Sequence, residues 1–150
     1  NTPALVGEAM SALCANANVT ATELGEVQQI FNAFGKSEIV PESLLDAVVG
    51  VSGSSPAYVY LFIEAMADAA VAEGMSRAQA YKFAAQAVYG AAKMVLETGK
   101  HSGELKDAVC SPGGTTIEAV AALEKGGLRD VVITAQRACT EKSRAMGRKE

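Results

Sequence analysis

Apolar and polar positions follow two different patterns along this chain. Up to about residue 41 the segments are short. Ala4-Leu5-Val6 through Met10-Ser11-Ala12-Leu13-Cys14 reads as an extended segment of modest β-propensity. Thr20-Ala21-Thr22-Glu23 has the spacing of a capping box and predicts a helix to about Phe34, stopped by Gly35. Lys36 to Val40 then reads as a short strand ended by Pro41. Strand, helix, strand is the pattern of an α/β layer, and alone it has too few strands for a stable sheet.

From Glu42 onward the period becomes helical. Ser43 to Gly50 predicts a short helix, followed by a break at Ser52-Gly53-Ser54-Ser55-Pro56, with Ser55 as N-cap and Pro56 at the first helical position. The next helix extends to about Glu73, stopped by Gly74. Ser76 to Gln79 is a second capping-box pattern opening a helix to about Thr98, with Gly99 as its stop. Ser102 is the expected cap of a short helix to about Val109, and two more helices are expected at about 115–125 and 128–146, divided by Gly126-Gly127. The expected fold is mainly α: residues 1–41 form a strand-helix-strand remnant of an α/β domain, and residues 42–150 an all-helical domain.

Composition adds a requirement for a partner. The chain has 150 residues, 49% of them hydrophobic but only 5% aromatic, and alanine fills 28 positions. Small side chains let helices approach closely while supplying few large core groups. The helix from Pro56 is apolar nearly all round, so more than one of its faces needs cover. Residues 1–75 carry nine acids and one base, and residues 76–150 carry eight acids and twelve bases. Those halves would attract in an antiparallel or interlocked homodimer, although a solvated distribution is the commoner explanation.

Several function classes drop out. Cys14, Cys110 and Cys139 are an odd number, widely spaced, and His101 is the single histidine, so neither a disulfide framework nor a metal site is expected. The basic run Arg137, Lys142, Arg144, Arg148 and Lys149 has no aromatic platform and fits the end of a helix, so no nucleic-acid partner is expected. The apolar run from Ala57 is cut short by Glu64 and Asp68, and no membrane span or leader is read, which makes a cytoplasmic setting the expectation. Glu64 and Asp68 stand one helical turn apart and read as a polar stripe or a partner-facing salt bridge rather than an acid-base pair. A start at Asn1-Thr2-Pro3 without Met reads as the interior of a longer protein.

The most informative stretch is Cys110-Ser111-Pro112-Gly113-Gly114-Thr115-Thr116, immediately before a helical run. Proline and glycine shape a tight turn, and the following helix start presents unpartnered N–H groups. Such a start can hold an anion, or it can be an ordinary capped helix. Cys110 beside it reads as a small buried thiol.

With its flanks, this stretch resembles the signature of the pyrroline-5-carboxylate reductases. The resemblance rests on Asp107 to Ile117 with Ala119 and Leu123-Glu124, on Asp46-Ala47-Val48 through Ser52-Gly53-Ser54-Ser55-Pro56-Ala57-Tyr58, and on Gly90 to Met94 with Leu105-Lys106-Asp107. The Asn1-Thr2-Pro3 start resembles the family's stretch near the end of its Rossmann-type nucleotide-binding domain. The resemblance implies an oxidoreductase of proline biosynthesis that reduces 1-pyrroline-5-carboxylate to L-proline with NADPH or NADH. It also implies a homodimer or higher homo-oligomer formed through a helical dimerisation domain.

By the same resemblance, Ser111 and the amides of Thr115 and Thr116 hold the substrate carboxylate. Gly113 and Gly114 let the ligand approach the backbone, and Thr116 places its hydroxyl at the imine nitrogen. Thr115 stands where related sequences often have alanine, and Ala108 where some have asparagine. No G-x-G-x-x-G occurs in the chain, so the main cofactor-binding residues are expected in a nucleotide-binding domain outside it. These 150 residues alone are therefore expected to be inactive. Two alternatives remain open: a structural homodimerisation module, or the helical domain of another imine or hydroxyacid reductase.

Overall fold

The computed structural model describes residues 1–148. The chain divides into two compact units, Asn1–Tyr58 joined by the chain from Ile133 onward, and Val59–Val132. The mainly α class is observed. Lys149 of the basic run lies outside the described residues.

In the first unit, two parallel strands β1 (Ala9–Leu13) and β2 (Gly35–Ile39) pair in the register Ala9↔Gly35 to Leu13↔Ile39. Helix α1 (Ala21–Asn32) connects them. The expected capping box is complete: Thr20 Oγ1 accepts from Glu23 N–H at 3.3 Å, and the Glu23 carboxylate accepts from Thr20 N–H at 2.8 Å. Helix α1 is tied to β2 by Gln28 donating to Ser37 O and by Ser37 Oγ donating to Asn32 Oδ1 at 2.8 Å, which satisfies the buried Ser37 hydroxyl.

Two expectations for this region are corrected. The extended segment is shorter than Ala4–Cys14, because Thr2–Val6 is a 3₁₀ turn closed by Gly7 at φ +77. Gly35 does not stop α1 but begins β2. A Cβ there would lie 2.2 Å from the Ala9 carbonyl oxygen, so glycine is required by the close approach of the two strands.

The expected helix at 43–50 is instead a 3₁₀ turn (Glu42–Leu44), a single α turn, α2 (Leu45–Val48), and a π-helical turn (Val49–Gly53). The break before Pro56 is therefore bridged. Ser54 N–H reaches Val49 O at 2.8 Å, and Ser55 is the first residue of α3 (Ser55–Ala72) rather than its cap. The widened turn carries the backbone hydrogen bonding forward, which removes the need for a side-chain cap. Within this unit the later part of α7 (Leu128–Gly147) crosses the same segment. Ser143 Oγ donates to Asp46 at 2.6 Å, and a Cβ on the buried Gly50 would stand 2.6 Å from Thr140 Oγ1.

The second unit contains most of α3, α4 (Arg77–Thr98), α5 (Ser102–Ala108), α6 (Thr115–Lys125) and the start of α7. Gly74, Gly99 and Gly127 have φ of +96, +63 and +75 and serve as the expected stops. Ser76 caps α4 by accepting from Gln79 N–H. The cap of α5 is His101, not Ser102: its Nδ1 accepts from Gly103 N–H at 3.0 Å. Imidazole at the N-cap is an uncommon choice, and it displaces the expected serine by one position. The predicted limits of α6 are those observed.

Asp68 is paired with Arg77, whose guanidinium also lies over the Tyr81 ring. This carboxylate is thus paired within its own chain rather than across to a partner. The buried positions of α3 and α4 are the alanines Ala67, Ala80 and Ala84, and no large side chain is fully buried among the described residues. Large apolar groups point outward instead, including Leu61 at 68%, Phe83 at 66% and Leu96 at 82% exposure.

Candidate functional site

Helix α5 ends at Ala108, and the chain turns through Ser111-Pro112-Gly113-Gly114 into α6. Gly114 N–H donates to Ser111 O at 3.0 Å across the turn, and Gly113 sits at φ +65. Proline at the second position and a positive φ at the third is the pattern of a type II turn, whose third position favours glycine. Pro112 removes a backbone donor and fixes φ, and Gly113 accepts the left-handed conformation.

Helix α6 then starts with Gly114 as N-cap and no side-chain cap. Glu118 N–H reaches back to Gly114 O at 3.5 Å, so the amides of Thr115 and Thr116 precede the first intrahelical bond. Their donors and the positive end of the helix dipole face the same end of α6. Ser111 is exposed, Thr115 is exposed and Thr116 is half-buried. No side chain caps this helix start; the N-cap is Gly114 itself.

The turn thus brings Ser111, Gly113, Gly114, Thr115 and Thr116 together within one short stretch. The sequence did not show how closely Ser111 lies against Gly114: a Cβ on Gly114 would stand 2.3 Å from Ser111 Oγ. Just upstream, Lys106 is paired with Asp107, which raises the lysine pKa. Glu118 is the acid of the first turn of α6, and its side chain is exposed. Cys110 is half-buried rather than buried.

Other titratable clusters offer less. In the first unit the Cys139 thiol is hydrogen-bonded with Ser54 and Tyr58, which holds its pKa below the usual thiol value and raises that of Tyr58. Among the described residues no group of three metal-ligating side chains gathers, and no helix is long and apolar enough to cross a membrane.

A short parallel α/β layer followed by helices, with an uncapped helix start behind a Ser-Pro-Gly-Gly turn, is the architecture of a helical domain appended to a Rossmann-type layer. Residues 42–146 match the family model for pyrroline-5-carboxylate reductase dimerisation. The chain belongs to that family. It is 62% identical over 148 residues to a pyrroline-5-carboxylate reductase of Escherichia coli, covering 99% of this chain and 55% of the relative. It is 51% identical to one of Synechocystis, covering 99% and 56%. A crystal structure of the Plasmodium falciparum pyrroline carboxylate reductase with NADP bound superposes with a TM-score of 0.90 at 41% identity, over 98% of this chain and 59% of that one. A pyrroline-5-carboxylate reductase from Coxiella burnetii gives 0.93 at 36% identity, over 97% and 54%. The chain spans a little over half the length of the relatives it matches.

The described residues do not by themselves suit a dinucleotide. Dinucleotide sites of the Rossmann type place the pyrophosphate against a glycine-rich turn from strand to helix, at the helix N-terminus. Here the turn from β1 to α1, Cys14 to Thr20, contains no glycine. The start of α1 is already filled by the Thr20 hydroxyl and the Glu23 carboxylate. A negative side chain there repels the phosphates that such a site must attract.

Proposed function

We propose that this chain is the substrate-holding and dimer-forming part of a reductase that converts 1-pyrroline-5-carboxylate to L-proline with NADPH or NADH. The observation that carries the reading is the uncapped start of α6 behind the Ser111–Gly114 turn, in a chain of this family. The substrate is a small cyclic imine bearing a carboxylate. A carboxylate suits two free helix amides and a serine hydroxyl, because charge-assisted hydrogen bonds are the strong ones.

Reduction of the C=N bond adds hydride to carbon and leaves a proton on nitrogen. A reduced nicotinamide cofactor, held by a nucleotide-binding domain, would supply the hydride. The chain's own part is to fix the ring by its carboxylate and to hold the proton on nitrogen through the Thr116 hydroxyl. An alcohol is a weak acid, so Thr116 acts by orienting that proton rather than by ionising. Gly113 and Gly114 shape the turn that presents these groups.

Functional division follows the same line as the patterning. Residues 1–41 belong with the nucleotide-binding α/β layer, and residues 42–150 with dimerisation and substrate. The partner is a second copy of the chain. Tyr60, Leu61, Phe83, Tyr89 and Leu96 leave α3 and α4 with apolar surface of the kind that marks an interface. The setting is a reducing cytoplasm, in keeping with three free cysteines.

Titration of L-proline into the chain, followed by amide chemical shifts, tests the site. Saturable shifts at Ser111, Thr115 and Thr116 are expected, and their absence at high proline concentration overturns the assignment. Sedimentation is expected to give a dimer or larger, and a monomer would overturn the partner. The chain alone with NADPH is expected to give no turnover of pyrroline-5-carboxylate.

A further inference from the structure

The two glycines after Pro112 are glycine for different reasons. Gly113 has φ +65 and nothing within 4 Å of the place a Cβ would occupy, so its constraint is backbone conformation. Gly114 has φ −83 and ψ 168, which any residue adopts. Its constraint is a neighbour. A Cβ there would lie 2.3 Å from Ser111 Oγ, 3.1 Å from Ser111 O and 3.6 Å from Ser111 Cβ. The closest of these is the tip of a side chain with one free torsion, which can rotate to another staggered well at small cost to the fold. The hydroxyl would then leave its place.

We infer that Gly114 is a positioning residue: by lacking a Cβ it leaves the space in which the Ser111 hydroxyl lies, one residue before the free amides of Thr115 and Thr116. This differs from a glycine kept small so that the ligand can reach the backbone. In that case added bulk would obstruct the substrate itself. Here it displaces the group that binds the substrate. The inference rests on the reading of Ser111 as a carboxylate ligand.

The test uses the full-length reductase carrying this chain. Gly114→Ala is expected to raise KM for pyrroline-5-carboxylate about tenfold, the usual scale for losing a hydrogen bond to a charged group, with kcat nearly unchanged. In a Ser111→Ala background the same change is expected to add less than about twofold, since the hydroxyl it displaces is already gone. An equal KM increase in both backgrounds would mean that the new methyl acts on the ligand directly, and the inference falls. A crystal structure of Gly114→Ala with Ser111 Oγ unmoved overturns it independently of any substrate. If Ser111→Ala by itself leaves KM unchanged, the carboxylate assignment is what fails, and the inference goes with it. Alanine fits the Gly114 torsions, but the Ser111 carbonyl at 3.1 Å must give slightly, so the variant's thermal melt is measured alongside its kinetics.

Discussion

Helix α1 and helix α6 begin in opposite ways. The start of α1 is closed on itself: the Thr20 hydroxyl takes the Glu23 amide, and the Glu23 carboxylate takes the Thr20 amide. The start of α6 is left to glycine, with no side-chain cap and with threonine amides pointing out of the helix. A capped start contributes to helix stability and repels anions. An uncapped start gives up that contribution and keeps its donors and dipole for a ligand. The contrast separates a helix end closed by its own side chains from one left open, where we propose the substrate carboxylate binds, and it tells against a dinucleotide phosphate at α1.

The strongest way to break the contrast is at Thr116, whose hydroxyl is assigned to the imine nitrogen. In the full-length enzyme, Thr116→Val keeps shape and is expected to lower kcat by about a hundredfold or more, measured by steady-state reduction of pyrroline-5-carboxylate. Activity within about twofold of the parent would remove the hydroxyl from the chemistry. Ser111→Ala is expected to act on binding instead, raising KM about tenfold with little effect on kcat. Gly113→Ala probes the turn: forcing φ +65 on alanine is expected to cost about 1 kcal/mol in thermal or denaturant unfolding.

The smallest effect belongs to α1. Thr20→Ala should cost about 0.5–1 kcal/mol in unfolding and leave substrate kinetics unchanged, because that cap serves the fold alone. Its pH dependence sharpens the point. Hydrogen bonds from the Thr20 amide and hydroxyl hold the Glu23 carboxyl below its ordinary value of 4.5. A carboxyl lowered in the folded state stabilises above that ordinary value, and the contribution is lost as pH falls through the lower folded value. Glu23→Gln is expected to flatten this acid limb, and an unchanged profile would detach Glu23 from it.

Helix starts and stops were legible where one local interaction decides them. Thr20 with Glu23, Ser76, and the glycines at 74 and 99 act within a single turn, so residue spacing was enough. Failures came where a distant segment decides. Gly35 looked like a helix stop, yet its role is set by the Ala9 backbone across the strand pair. Ser55 looked like a cap because Gly53 and Pro56 suggested a break, but a π turn carried the hydrogen bonds across. His101 took a cap assigned to Ser102, since an imidazole nitrogen can reach an amide two residues on. At the candidate site the participating residues were legible as a motif, whereas the contact of Ser111 with Gly114 was not.

By itself the sequence determined the mainly helical class and the position of the turn before α6, because these follow from short-range periodicity and the residues available in one motif. Only the tertiary structure decided that α6 begins without a side-chain cap, and that Gly114 is confined by Ser111 rather than by its own backbone. The physical reason is that spacing fixes which groups can meet, while torsion angles and close approach fix which of them do.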